Sequence, residues 1–348
     1  MRPLRIAYLL EDTAQSGGVR VPLAQADELI ARGHRVRMVS KGQAPSWRSS
    51  RAEWFQVSDF GQYDSSGDDF ILATFWSTVT AAWEMAGRRA IHLCQGYEGA
   101  FSAYQPIRAR IDFTYALPLP KIVVARPLVE ICRRFTPDVT YIGQAVDDEF
   151  YRDQVPPEHD PPRVLLAGQA QGDLKGVDDG YGAVAYALSA GAGLSLIRVS
   201  PWPPSSDEPL ENVEEFHVAL STAEMTRLMH SCDVLLAPNH AEEGFGLPAA
   251  EAMASGIPCL VTEIPSYLSF DDTHDYALFR PARDPRALGD GLLELLGDRE
   301  LRARVGRRAR EVAEQFRVTA VVDRLETFLR ERRDRAVTAS AQTRTSGR

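Results

Sequence analysis

Lysine is nearly absent from this chain. Of 39 basic residues among 348, three are lysines, Lys41, Lys121 and Lys175. Codon bias toward arginine accounts for the scarcity, yet any site built on lysine must draw on one of those three. Excess positive charge is lacking too. The net charge is −9, which excludes a nucleic-acid binder that works through bulk positive potential. No run approaches the ~18 consecutive apolar residues of a membrane span. The apolar run at the N-terminus ends at Glu11, too soon for a signal sequence. The four cysteines, Cys94, Cys132, Cys232 and Cys259, have no CxxC spacing and sit in or beside apolar runs. That pattern argues against a disulfide framework or a zinc site and fits buried, reduced thiols. A soluble, cytoplasmic protein is expected, with peripheral membrane contact left open.

What is present is a globular mixture, 44% hydrophobic and 25% charged, long enough for about two domains. Short apolar runs alternate with longer amphipathic ones. Residues 5–10, 35–40, 70–73, 91–93 and 121–124 read as buried strands, separated by helices such as 19–32 and 76–86. Repeated strand–helix units predict a parallel sheet with helices on both faces. The segment 153–162, DQVPPEHDPP, carries four prolines in ten residues and reads as a linker. Beyond it the alternation restarts, with strands at 163–167, 194–199, 234–237 and 258–261. Helices are expected at 177–190, 222–231 and 248–254, and three more between Pro285 and Arg335. The predicted fold is α/β, two doubly wound halves facing each other across a cleft. Ligands belong in that cleft, at the carboxyl ends of the strands.

The most informative stretch is 239–264, NHAEEGFGLPAAEAMASGIPCLVTEI, a glycine-rich turn running from a strand into a helix. Pro248 suits the first helical turn, where a missing N–H costs nothing. Gly244 and Gly246 let the backbone fold so that the amides of Phe245, Gly246 and Leu247 face an anion at the helix N-terminus. Glu243 and Glu251 bracket that position. A carboxylate touching phosphate would repel it, so the two are read as accepting hydrogen bonds from hydroxyls on either side. Taken alone, Glu251 in a first helical turn reads better as a helix-capping carboxylate, and only the whole stretch favours a site.

This stretch closely resembles the Glu-(seven residues)-Glu signature of family 4 retaining glycosyltransferases, E-G-F-G-x-x-x-x-E-A-M-A-x-G-x-P. It matches at Glu243, Gly244, Phe245, Gly246, Glu251, Ala252, Met253, Ala254, Gly256 and Pro258. The resemblance covers most of the C-terminal half. It implies a GT-B fold of two Rossmann-like domains, with C-terminal helices crossing back to the first. It further implies a retaining, metal-independent transfer from a nucleotide-diphosphate sugar to a hydroxyl acceptor. Glu243 would bind the sugar hydroxyls, Glu251 the ribose, and the Phe245–Leu247 amides the sugar and diphosphate. The family also carries a Gly-Arg followed by Lys-Gly, whose two cations steady the leaving diphosphate. Here LLAGQAQGDLKGVD puts Gln169 at the arginine position and Lys175 at the lysine position. A neutral amide bonds to phosphate without neutralising it, which leaves Lys175 the charge.

In the first half, Gly17 and Gly18 resemble by position the family's glycine loop after the first strand, which faces the donor phosphates. ELIARGHRVRMVS resembles the family's post-helix pattern, with His34 a structural turn residue. IHLCQGYEGAF places Gln95 where the family has a histidine touching the donor sugar. His92, three residues earlier, reads as a packed strand residue. Gln95 joins Glu243 and Lys175 as a catalytic candidate, and Tyr97 and Glu98 are acceptor-side candidates. The domain reading that follows is 1–154 on the acceptor side, 155–316 on the donor side, and 317–335 a helix returning to the first domain. Residues 336–348 are expected to be a disordered tail. Acidic pairs such as Asp147-Asp148, Asp178-Asp179 and Asp271-Asp272 are read as solvated, with no metal and no cofactor.

UDP-sugar is the default donor, with dTDP- and GDP-sugars open. The acceptor hydroxyl belongs to glycan, cell-envelope or natural-product biosynthesis. Because Gln95 and Gln169 stand where the family has histidine and arginine, the alternative is a degenerate nucleotide-sugar binder without turnover. An epimerase on the same fold would need acid–base carboxylates in the cleft. Lys175 is expected to be the one lysine essential for turnover, with Lys41 and Lys121 dispensable.

Overall fold

The computed structural model describes residues 2–152, 158–171 and 173–346. The apolar runs of the first half form seven strands: β1 (Arg5–Leu10), β2 (Arg35–Ser40), β3 (Glu53–Gln56), β4 (Phe70–Ala73), β5 (Ala90–Cys94), β6 (Lys121–Val123) and β7 (Val139–Tyr141). They pair in parallel in the order β3-β2-β1-β4-β5-β6-β7. The second half builds β8 (Arg163–Ala167), β9 (Ser195–Ser200), β10 (Val213–Val218), β11 (Val234–Ala237), β12 (Cys259–Thr262) and β13 (Leu278–Arg280). Their order is β10-β9-β8-β11-β12-β13, again parallel. Edge strands β3, β7, β10 and β13 were not anticipated. None is fully buried, so they lack the continuous apolar run that marks β4 or β11.

Helices cover both faces: α1 (Gly17–Ala31), α2 (Trp76–Ala86), α3 (Arg108–Ala116), α4 (Arg126–Arg133), α5 (Val177–Ser189), α6 (Thr222–His230), α7 (Leu247–Ala254), α8 (Pro265–Leu268), α9 (Pro285–Gly297), α10 (Arg299–Ala313) and α11 (Val318–Ser346). Their starts obey local chemistry. Ser221 and Glu224 form a reciprocal capping box at α6. Asp284 and Asp298 cap α9 and α10 by accepting from the Ala287 and Leu301 amides, each at 2.9 Å.

In each sheet the strand order turns at the first strand, β1 or β8, so loops leaving neighbouring strands diverge and open a crevice there. The two crevices face each other. One apolar core runs through both halves. The seam is pinned by backbone and side-chain bonds: Val146 N to Phe316 O at 2.8 Å, Tyr151 Oη to Ala313 O at 2.7 Å and Ser255 Oγ to Phe150 O at 3.0 Å. After α10 the chain returns to the first half, where α11 lies along α1. Arg32 donates to Asp323 at 2.6 Å, to Glu326 at 3.2 Å and to the Thr319 carbonyl at 3.0 Å. His34 is buried and structural: it accepts from the Leu4 amide at 2.9 Å and faces Glu326 at 3.2 Å.

The expected boundary at 154/155 falls outside the described residues. One reading changes. The segment read as a disordered tail is helical through Ser346, as part of α11. Its only helix breaker, Gly347, comes after that end, and extending an existing helix costs far less than nucleating one. Lys121 is fully buried in β6, its ammonium 5.7 Å from the Tyr115 ring centroid, so its role is in packing.

Candidate functional site

A cavity of about 330 Å³ opens between the halves, at the carboxyl ends of both sheets. From the second half, Lys175 enters on the loop after β8, Ser200 ends β9, Glu243 follows β11, and Gly246, Leu247 and Glu251 open α7. From the first half come Gly17 and Gly18 at the start of α1, Arg20 two residues on, Trp47, Gln95 directly after β5, and Gln144.

Glu243 sits at the end of a relay of side chains. Lys175 Nζ pairs with its Oε2 at 2.6 Å, and Asn239 Nδ2 donates to the same oxygen at 2.7 Å. Asn239 Oδ1 accepts in turn from Tyr267 Oη at 2.8 Å. Burial pushes the Glu243 carboxyl up. The Lys175 ammonium, Asn239 and the Phe245 amide outweigh it and hold the group below the usual carboxylate range. Glu243 is therefore an ionised acceptor, suited to hydroxyl donors and unsuited to giving up a proton. The Phe245 amide, expected to face an anion, is already committed to this carboxylate. The Phe245 side chain is core, with the Phe270 and Phe316 ring centroids 4.9 and 5.1 Å away.

The turn into α7 needs glycine twice. Gly246 caps the helix at φ +92°, in the left-handed region. Gly244 is demanded by the other domain, because a Cβ there would stand 2.7 Å from the Gln95 carbonyl oxygen. The loop thus closes on the first half, backbone against backbone.

Glu251 is buried and ion-paired with Arg20 of α1, across the cleft. Arg20 also faces Asp147 at 3.6 Å, which Arg48 holds at 2.8 Å. Burial pulls the Arg20 guanidinium down from its ordinary value, against the pull of Asp147. Gln95 Nε2 donates to the Gly18 carbonyl at 3.0 Å and fixes the glycine turn. Its Oε1 and that of Gln144 are buried without a partner among the described residues. Both are open acceptors at the cavity, and a ligand hydroxyl would satisfy them.

The structure therefore gathers Gly17, Gly18, Gln95, Lys175, Glu243, Phe245, Gly246, Leu247 and Glu251 around one cavity. Four candidates stand apart among the described residues. Gln169 is half-buried in the β8–α5 loop and does not line the cavity. Gly244 backs onto Gln95. Tyr97 and Glu98 are buried and turned toward α3, Tyr97 donating to Asp112 and Glu98 accepting from Tyr115 Oη at 2.6 Å. Burial raises the Glu98 carboxyl to about 7, against the Tyr115 hydrogen bond.

Of the acidic pairs, Asp147 meets Arg48, Asp179 meets His240 at 2.8 Å and Asp271 meets Arg308. Sequence reasoning missed Arg20, Trp47 and Gln144. Arg20 alone had a signal, its place in the first turn after Gly17-Gly18.

With this geometry in hand, known proteins are informative. Residues 205–312 match the family model described as Glycosyl transferases group 1. N-acetyl-alpha-D-glucosaminyl L-malate synthase of Bacillus anthracis is 40% identical over 91 residues, 25% of this chain and 23% of that protein. D-inositol 3-phosphate glycosyltransferase of Xylanimonas cellulosilytica is 28% identical over 213 residues, 58% of this chain and 49% of that one. These matches reach half of the relatives' own length at most. Anabaena HepE, solved in complex with UDP-glucose, superposes with a TM-score of 0.75 at 14% identity, covering 94% of this chain and 100% of that one. No helix of the described residues is long and apolar enough to cross a membrane. The chain has the GT-B fold of these glycosyltransferases, and its residues 205–312 match the group 1 model.

Proposed function

We propose that the protein is a family 4 retaining glycosyltransferase that moves a sugar from a nucleotide-diphosphate donor, UDP-sugar first, to a hydroxyl acceptor. One observation carries this reading. A single cavity at the carboxyl ends of both sheets collects the cations Lys175 and Arg20, the partly buried Glu243, the buried Glu251 and the start of α7. Glu243, kept ionised, accepts from the sugar hydroxyls, and Glu251 accepts from the ribose. Lys175 and the Gly246–Leu247 opening of α7 offset the charge that grows on the departing diphosphate. Gln95 turns its open carbonyl toward the donor sugar or the acceptor. The acceptor hydroxyl approaches on the face the diphosphate leaves, so the anomeric configuration is kept. The Lys175 and helix-terminus charges serve where a metal would otherwise stand, and the work is assigned to the cytoplasm. The solved relative with bound UDP-glucose supports the donor class.

The test is release of nucleoside diphosphate from a donor panel with and without acceptors. Wild-type protein should turn over one donor, and Glu243→Ala and Lys175→Ala should each lose most of that rate. Undiminished turnover in both variants would sink the site assignment. A nucleotide-sugar binder without turnover is favoured by the Lys175–Glu243 pair, which leaves little free positive charge for a diphosphate. It predicts donor-dependent thermal stabilisation and no release.

A further inference from the structure

The proposed donor brings a diphosphate, and the cavity as built is poorly supplied with charge to meet it. Among the described lining residues the cations are Lys175 and Arg20, and each already faces a carboxylate, Glu243 or Glu251. The position where a second cation was expected holds Gln169, which does not line the cavity. Arg20 reaches the same space from the opposite wall. It stands in the first turn of α1, two residues after Gly18, at the helix end whose dipole also favours an anion.

Its plane is set by what surrounds it. Nε faces Asp147 at 3.6 Å, Nη2 meets Glu251, and Cζ lies 5.7 Å from the Phe150 ring centroid. Arg48 shares Asp147 at 2.8 Å, so the cluster holds two arginines against two carboxylates. A guanidinium carries five N–H donors in a fixed fork. It can keep Asp147 and Glu251 and still turn Nη1 donors to phosphate oxygens, as a charge-assisted bond.

We infer that Arg20 is the second diphosphate-binding cation of this site, supplied by the first domain in place of the arginine missing at Gln169. The inference rests on the donor reading above. Because Arg20 also holds Glu251, the ribose acceptor, it ties the nucleotide end of the donor to both domains. A donor that needs Arg20 and Lys175 together can engage both only with the cleft shut. Diphosphate recognition and domain closure are then one event.

Isothermal titration of uridine diphosphate and of uridine into wild-type, Arg20→Gln and Arg20→Lys protein tests this. Loss of a charge-assisted contact predicts that Arg20→Gln weakens diphosphate binding about tenfold to a hundredfold. Uridine should lose clearly less than its diphosphate does, since the nucleoside makes no phosphate contact and feels Arg20 through Glu251 alone. Arg20→Lys keeps the charge without the fork and should lose less. It also decides the question if Arg20→Gln fails to fold. Equal losses for uridine and its diphosphate would mean that Arg20 only positions Glu251, and would overturn the inference. So would no loss for either ligand. If wild-type protein binds no uridine, guanosine or deoxythymidine diphosphate at all, the donor reading falls and this inference with it.

Discussion

Replacing Gly244 with alanine separates the role of the cleft from the stability of either half. The Gly244 backbone does not have positive φ, so alanine fits locally. Its smaller unfolded-state entropy should be worth about 0.4–1 kcal/mol in favour of folding. The difficulty is entirely across the cleft. The new Cβ would stand 2.7 Å from the Gln95 carbonyl oxygen and 3.2 Å from Gly96 Cα, against 3.4 Å for ordinary contact. Both neighbours are backbone, and Gln95 is tied to Gly18, so neither yields as a side-chain tip would. The loop must retreat by roughly 0.7 Å, carrying Glu243 and the start of α7 away from Gln95 and Gly17. Misplacements near 1 Å cost up to about a hundredfold in rate. Gly244→Ala should therefore lower donor turnover about tenfold to a hundredfold while melting within about 2 °C of wild type. Gly297→Ala is the control, since nothing lies within 4 Å of its added carbon. It should leave turnover unchanged. Wild-type turnover in Gly244→Ala would refute the claim that this loop is seated against the other domain when the protein works.

Two further outcomes follow from buried groups. Glu98 is raised from 4.5 to about 7 by burial, so the folded state holds a proton that the unfolded state releases between those values. Its stabilising effect is complete below pH 4.5 and is lost as pH rises through 7, about 3 kcal/mol at most. Glu98→Gln should flatten that slope. Melting curves of both proteins from pH 5 to 8 that stay parallel would contradict it. Tyr267→Phe leaves Asn239 Oδ1 without its 2.8 Å donor, at a cost of about 1–3 kcal/mol. Because Asn239 also holds Glu243, turnover should fall alongside melting temperature. A stability loss with unchanged kinetics would detach the relay from the site.

Much of the site was legible before any coordinates. The string from Glu243 to Glu251 has the shape a helix-terminus anion site requires, two glycines, a proline and flanking carboxylates. The lysine scarcity narrowed the cation to one of three residues, and Lys175 does enter the cavity while Lys121 is sealed in β6. Reasoning failed where the determinant was an absence of neighbours or the presence of distant ones. Tyr97 and Glu98 sit two and three residues past Gln95 and were read as acceptor-side, but the chain turns them toward Asp112 and Tyr115 of α3. Edge strands such as β10 carry too little apolar periodicity to announce themselves.

Local sequence determined the strand–helix alternation, the caps, and the glycine turn into α7, because each depends on contacts within a few residues. Only the tertiary structure decided that Arg20 faces Glu251, 231 positions later. The same holds for Gly244 resting on Gln95 and for which helix of the first half the returning α11 lies along. Those pairings are set by how two separately wound sheets meet. The charge on Arg20, Lys175, Glu243 and Glu251 was written in the sequence, and which cation faces which carboxylate was not.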